Sequence, residues 1–437
     1  MQVVKEIQDL EEKERIKNAR RNNAKLYPLY KMFSWDLLCF YSIEFLFYTI
    51  TKGITASEIL IITSFYIIFK VLMQIPAVII SDIFGKRKSI IFANILLIVY
   101  MIILIISKNM IGIIIADLIC SLGYNIKTIS ETNLLYDSVA TKGGEGLYSK
   151  LDSRGGSWYY YLDGLTCLVA GYLFVINNYI PVFICLCFLI VSTILSLRFK
   201  DIYINKEKKK NNSHIINTIK EYGTDLRTSV KFIIKSRRLK SYIIFGAIFY
   251  GIIEIIEVYK GELLTYKGIS EEQFSMIFAI LTLLAGISVT FSKRTHKKFR
   301  NKTLMFLSLT YVVSCLIIGG ISKMFTNNVA IPIILILYSI LRISDSVWYI
   351  LEYKYLNNFT TEQKRNKIIF TYETIGGIVA SIMSLIGSSI LNVFSVENAF
   401  ILVSLASLAL IVLCLDYMRT RFGLKPEQYT KNDIDIL

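Results

Sequence analysis

Ser81-Asp82-Ile83-Phe84-Gly85-Lys86-Arg87-Lys88 stands between two apolar blocks, 56–80 and 89–107. At 1.5 Å per residue, about 20 apolar residues in a helix cross a hydrocarbon core of ~30 Å, so each block is long enough to span a membrane. Gly85 permits a tight turn between them. Lys86, Arg87 and Lys88 mark that turn as cytoplasmic, where basic residues collect. The alternation runs on in both directions. Further apolar blocks lie near 29–51, 111–138, 156–177 and 179–198, and, after a polar stretch, near 241–263, 270–291, 303–321, 328–355, 366–392 and 395–417. The pattern predicts an all-α membrane protein with twelve transmembrane helices in two six-helix halves. A barrel would need alternating segments of about 10 residues, and the sequence has none. The expected layout is a cytoplasmic N-terminal arm (1–28), an N-terminal half (29–199), a cytoplasmic basic linker (200–240), a C-terminal half (241–417) and a cytoplasmic tail (418–437).

Composition agrees. The 437 residues are 54% hydrophobic and 19% charged, whereas soluble domains run near ~45–50% apolar and ~25% charged. The first 27 residues are polar and charged, with no apolar core of a cleavable signal. They read as a cytosolic amphipathic helix or a flexible arm, and the first spanning helix then serves as its own insertion signal. With the N-terminus inside, 41 of the 49 Lys and Arg fall in inner segments, against five in outer loops: Lys52, Lys108, Lys260, Lys267 and Lys323. Both termini are therefore expected in the cytoplasm, with the chain in the cytoplasmic membrane. The net charge of +16 is spread over every inner loop, Lys206 to Lys210 included. That suits a bilayer with an anionic inner leaflet, at about 1 kcal/mol per basic residue, rather than nucleic acid. All seven cysteines lie in apolar blocks and read as small buried hydrophobes. His214 and His296 are placed in basic loops, from which neither a zinc site nor histidine catalysis can be assembled. No cofactor, no metal and no enzymatic activity are expected. The expected state is a monomer acting on a small-molecule substrate.

Ionisable side chains inside spans cost ~2.5–3.5 kcal/mol each at the membrane centre and tend to mark functional paths. Helix one carries Asp36, flanked by Trp35 and Tyr41, and Glu44. Helix four carries Lys127 and Glu131 at i,i+4; helix seven, Glu254 and Glu257; helix ten, Arg342 and Asp345, each of the latter pairs at i,i+3. Lys70, Asp163 and Glu373 are the remaining cases. The spaced pairs fit structural ion pairs as well as a charged path, since buried pairs come near energetic break-even. Asp36 and Glu254 have no obvious cation at i±3 or i±4 and lead as proton carriers, with Glu257 next. Trp348, one turn beyond Asp345, is a candidate aromatic wall beside the carboxylates, a combination suited to amphipathic or cationic cargo. The run Trp158 to Tyr161 reads first as an interfacial aromatic belt.

Two six-helix halves, both termini inside, and the loop Asp82-x-x-Gly85-Lys86-Arg87 resemble the plan and the loop signature of the major facilitator superfamily. The resemblance implies secondary active transport by alternating access, with helices one, four, seven and ten lining a central cavity. It also implies that Asp82, Gly85, Lys86 and Arg87 form a cytoplasmic gating loop. Val78 stands where that family often has Gly, and the equivalent loop of the second half, 292–298, keeps the charge without the Asp and Gly, so a latch would be one-sided. Leu134-Leu135-Tyr136-Asp137-Ser138, followed by Lys150 and Arg154, is similar to a bacterial branch of drug and unknown-substrate efflux proteins. Leu351-Glu352-Tyr353-Lys354 echoes it in the second half. The Gly-Pro pair of the antiporter signature is absent between Gly164 and Gly171. The resulting expectation is proton-coupled efflux of a small organic or amphipathic compound. Uptake of a metabolite is the alternative, and a non-transporting sensor or scaffold is the reading from another class.

Overall fold

The computed structural model describes residues 2–140, 144–202, 212–299, 302–358 and 365–419. The basic run Lys206 to Lys210 and nearly all of the predicted tail lie outside the described residues. Every regular element described is helical. Among the described residues ten helices are long and apolar enough to cross a membrane, and an eleventh span forms if one bent pair is counted. That pair, α3 (Ala56–Leu72) and α4 (Gln74–Phe84), bends by 46° and covers the predicted second span. The predicted first span, 29–51, is interrupted. Helix α1 (Gln2–Ser34) ends early, the next turn is α2 (Glu44–Leu46), and a π-helical turn follows at Phe47–Thr51.

The chain forms two compact units. The first comprises residues 1–43 and 72–219. In it α5 (Lys86–Ile106) packs along α6 (Met110–Val139) and against α8 (Ile180–Leu197), while α1 packs along α7 (Gly144–Ile176). Gly155 and Gly156 of α7 let α1 approach closely, Gly155 against Lys31 and Gly156 against the Trp35 ring. Tyr27, Tyr30, Leu134, Leu135, Val139 and Phe199 close an apolar core between α1, α6 and the end of α8. The polar start of the chain is helical. Asn22 donates to the Arg198 carbonyl (2.9 Å), and Asn23 exchanges two bonds with the Lys200 backbone (2.8 and 2.9 Å), tying α1 to the segment after α8.

The second unit comprises residues 44–71 and 220–437. Its central element is α10 (Arg237–Tyr266), packed on α15 (Arg365–Val393) and α16 (Val396–Arg419). Around it, α13 (Thr303–Met324) packs on α14 (Asn327–Asn358) and α16, and α11 (Glu271–Thr290) packs on α14. A Ser64 to Ser381 hydrogen bond (2.6 Å) and the contact of Gly377 with Val71 and Ile67 join α3 to α15. Ser236 and Ser270 cap α10 and α11 by accepting from backbone N–H groups.

Three placements differ from the sequence reading. The linker contains α9 (Asn212–Lys235), which includes His214. His296 lies in α12 (Ser292–Phe299) and is buried, its Nδ1 3.1 Å from the Tyr355 hydroxyl. Lys260, counted above as an outer-loop residue, is buried inside α10. The helices α9 and α12 are too polar for hydropathy to tell from a loop, whereas Lys260 lies within the apolar block 241–263 and is set outside it only in the charge count.

Candidate functional site

In the first unit the polar residues gather where α1 breaks. Neither Gly nor Pro occurs between Ser34 and Glu44, so the usual causes of a helix interruption are missing. Side chains take over the backbone instead. The Asp36 carboxylate accepts from its neighbour's amide, Leu37 N–H (3.1 Å), and from the Tyr124 hydroxyl (2.6 Å). Lys127 Nζ donates to the Trp35 carbonyl (3.3 Å), one of the acceptors that the end of a helix leaves without an intrahelical donor. Cys39, buried in the middle of the break, adopts a left-handed φ of 68°.

Lys127 and Glu131, stacked on α6 as the spacing predicts, are both buried. The charges of Glu131 and Asp36 both act on Lys127. Glu131 also accepts from the Tyr30 hydroxyl (2.5 Å). Sequence reasoning missed the next layer: Lys31 pairs with Asp152 of α7, and its ammonium lies 4.0 Å above the Trp35 ring. Trp35 in turn stacks on Tyr159 at 5.5 Å. Lys31 on α1 and Asp152 on α7 are far apart in the chain, and the packing of the two helices brings them together.

In the second unit Glu257, read above as an unpaired carboxylate, forms an ion pair with Lys260 (2.5 Å). The i,i+3 spacing could have revealed it, had Lys260 been placed in the helix. Arg342 and Asp345 pair as their spacing predicts (3.3 Å), and Asp345 also accepts from Ser346 Oγ (3.0 Å). Arg342 also acts electrostatically on Glu257, so these four charges form one cluster across α10 and α14. Glu254 is hydrogen-bonded by Tyr250 one turn earlier and feels the charges of Glu257 and Lys70. Trp348, expected as an aromatic wall, is buried against Tyr242, Phe245 and Phe249. Glu44 opens α2, half-buried.

Sequence reasoning also missed two crossed tyrosine–glutamate contacts at the stretch 351–354. Glu352 of α14 is buried and accepts from Tyr372 of α15, while Glu373 of α15 accepts from Tyr353 of α14 (3.1 Å). Tyr242 of α10 donates to the Glu352 carbonyl (3.0 Å). The loop 81–88 belongs to the first unit. Gly85 has a φ of 79°, which a side chain rarely adopts. Lys86 pairs with Asp137, and Arg87 donates to the Leu197 carbonyl (2.8 Å). The two quoted motifs, 81–88 and 134–138, thus meet in one ion pair, and Asp82 itself is exposed.

The sequence profile described as Major Facilitator Superfamily matches residues 32–340 and 258–432. No curated protein matches the chain. Solved structures share the fold. The nucleoside transporter NupG is similar over 92% of this chain and 99% of its own, with a TM-score of 0.70 and 9% identity. A bacterial homologue of the human lysosomal transporter Spinster is similar over 97% and 98%, with a TM-score of 0.66 and 10% identity. A D-xylose-proton symporter is similar over 94% and 98%, with a TM-score of 0.62 and 12% identity.

Proposed function

Since this chain belongs to the Major Facilitator Superfamily, a family of transporters rather than enzymes, we propose that it is a proton-coupled secondary transporter that exports a small organic or amphipathic compound by alternating access. The observation that carries the coupling is the setting of Asp36 and Glu254. Each carboxylate is held by a tyrosine hydroxyl, Tyr124 or Tyr250, and the cations near it, Lys127 or Lys70, act across space. A hydroxyl tolerates both the charged and the neutral carboxyl, whereas a direct ion pair holds it charged. Each of these two settings, taken by itself, allows a cycle of proton uptake and release. Glu257 and Asp345, clamped by Lys260 and Arg342, supply fixed charge. The aromatic surroundings of Asp36, namely Trp35, Tyr124 and Tyr159, suit a cargo with an apolar body and a positive group.

Uptake of a metabolite is the second reading, favoured by the missing Gly-Pro pair between Gly164 and Gly171. We place the chain in the cytoplasmic membrane with both termini inside, the anionic inner leaflet against its basic loops, and a monomer as the working unit. The test is reconstitution in proteoliposomes holding a pH-sensitive dye, with a panel of amphipathic amines and neutral metabolites added under an imposed pH gradient. Cargo-dependent proton flux that disappears in Asp36→Asn or Glu254→Gln, while downhill exchange of the same cargo persists, is the expected result. Full gradient-driven accumulation in both variants would reject these carboxylates as the coupling groups.

A further inference from the structure

We propose that the break in the first membrane helix is a cation site whose resident ion is the ammonium of Lys127, and that the site accepts a small primary alkylammonium ion when that side chain is shortened. The inference is independent of cargo and of coupling.

The argument starts from what the break leaves uncompensated. A helix that ends inside the protein presents carbonyls without donors and the negative end of its dipole. Here α1 ends at Ser34, and the carbonyl of the next residue, Trp35, points to Lys127. The Asp36 carboxylate follows immediately, engaged by Tyr124, by the Leu37 amide and by the Tyr41 hydroxyl. Glu131 lies one turn farther along α6, held by Tyr30. The face of the Tyr124 ring lies 4.9 Å from Lys127 Nζ, a separation at which a ring attracts a cation. Lys127 itself is 3% exposed. Two carboxylates, a helix end and an aromatic face thus converge on one ammonium in a place nearly closed to water. Lys31 pairs with Asp152 and lies over the Trp35 ring, and its charge also reaches Glu131, so the site's own close cation is Lys127.

Removing the Lys127 charge leaves this set with an excess of negative charge in a dry environment, which is strongly unfavourable. The acceptors suit an ammonium: a carbonyl and a ring face, with carboxylates whose oxygens already accept other hydrogen bonds. Among the described residues no group of His, Cys, Asp and Glu is arranged to hold a metal ion. Lys127 is on this account a positioning residue. It holds the end of α1 and fixes Asp36, and it does so as a tethered cation.

Cys39 reports on the break, being buried within it in a left-handed conformation. In purified protein with the other six cysteines replaced, its reaction rate with a soluble maleimide measures how often the break opens. We expect Lys127→Ala to raise that rate by at least about tenfold, equivalent to ~1.4 kcal/mol. Propylammonium, which restores the missing atoms, should return the rate toward that of the parent. Tetramethylammonium at equal ionic strength should not. Lys127→Arg should keep Cys39 protected, and Lys127→Gln, which can still donate a hydrogen bond, should expose it. Protection retained in Lys127→Ala, or restoration by tetramethylammonium as complete as by propylammonium, overturns the proposal. If Lys127→Ala does not survive extraction, the other two variants decide: equal rates for Arg and Gln overturn it, and a protected Arg variant beside an exposed Gln variant upholds it.

Discussion

At the scale of single residues, the clearest consequences concern close packing and buried charge. Gly246 of α10 faces Tyr372, and a Cβ added there would overlap the hydroxyl that Glu352 accepts from. Gly246→Ala should therefore cost about 1–3 kcal/mol, the usual penalty for overpacking. Gly320→Ala, at a helical position with open space around it, should be neutral or stabilising by about 0.5–1 kcal/mol. Thermal unfolding in detergent compares the two, and equal midpoints would mean that the Tyr372 contact carries no weight. Lys267 is a second case. Its ammonium pairs with Glu397 (2.7 Å) and donates to the Ser322 carbonyl (2.6 Å), with only 8% of the side chain exposed. Lys267→Met should cost about 3–5 kcal/mol, because Glu397 is left without its cation. A loss below one kcal/mol (roughly the worth of an exposed pair) would show that water reaches Glu397. At this scale the sequence was legible where both partners lie on one helix face, as for Arg342 with Asp345. It was silent where partners come from different helices, as for Lys31 with Asp152, since nothing in the spacing of residues 121 apart tells that they meet.

At the scale of elements, the break between Ser34 and Glu44 is the informative feature, because hydropathy reads the stretch 29–51 as one uninterrupted span. Apolar content is the same whether such a stretch is helical or not. Only the partners of its backbone decide, and here Lys127 and Asp36 satisfy groups that a membrane would otherwise leave bare. Most of the other apolar blocks are single helices, the exceptions being the second, which bends by 46° between α3 and α4, and the fifth, whose helix α7 starts well before its apolar block. The helices α9 and α12 were hidden for the opposite reason, being too polar to register as spans. A substitution series tests the break as an element. The left-handed conformation at Cys39 costs an L-residue about 1–2 kcal/mol and is a steric outlier for a β-branched one. Burial alone ranks Val above Gly at this buried position. Backbone conformation ranks Gly above Val, by about 1–2 kcal/mol if the strain dominates. We expect Cys39→Gly to unfold at a higher temperature than Cys39→Val. The reverse order would mean that the chain near Cys39 is helical in solution.

At the scale of the whole molecule, the distribution of charge makes a claim about direction that two helices can test separately. Helix α5 runs from Lys86 to Ile106 and is 21 residues long, so at 1.5 Å per residue it spans roughly 30 Å, the thickness of a hydrocarbon core. Lys88 and Lys108 lie at its two ends. In the second unit, α13 (22 residues) follows Lys297 and carries Lys323 in its last turn. If basic residues mark the cytoplasm, Lys88 and Lys297 lie inside and Lys108 and Lys323 outside. Each of the four lysines, replaced singly by cysteine in a cysteine-free chain, can be probed with an impermeant maleimide on intact cells. Lys108→Cys and Lys323→Cys should label at once, and Lys88→Cys and Lys297→Cys only after permeabilisation. Exchange of the two patterns in both helices would reverse the orientation and place both termini outside. Equal labelling at the two ends of α5 would deny that it spans at all. Opposite orientations for α5 and α13 would break the relation between the halves, since a half with six spans returns the chain to the side from which it started.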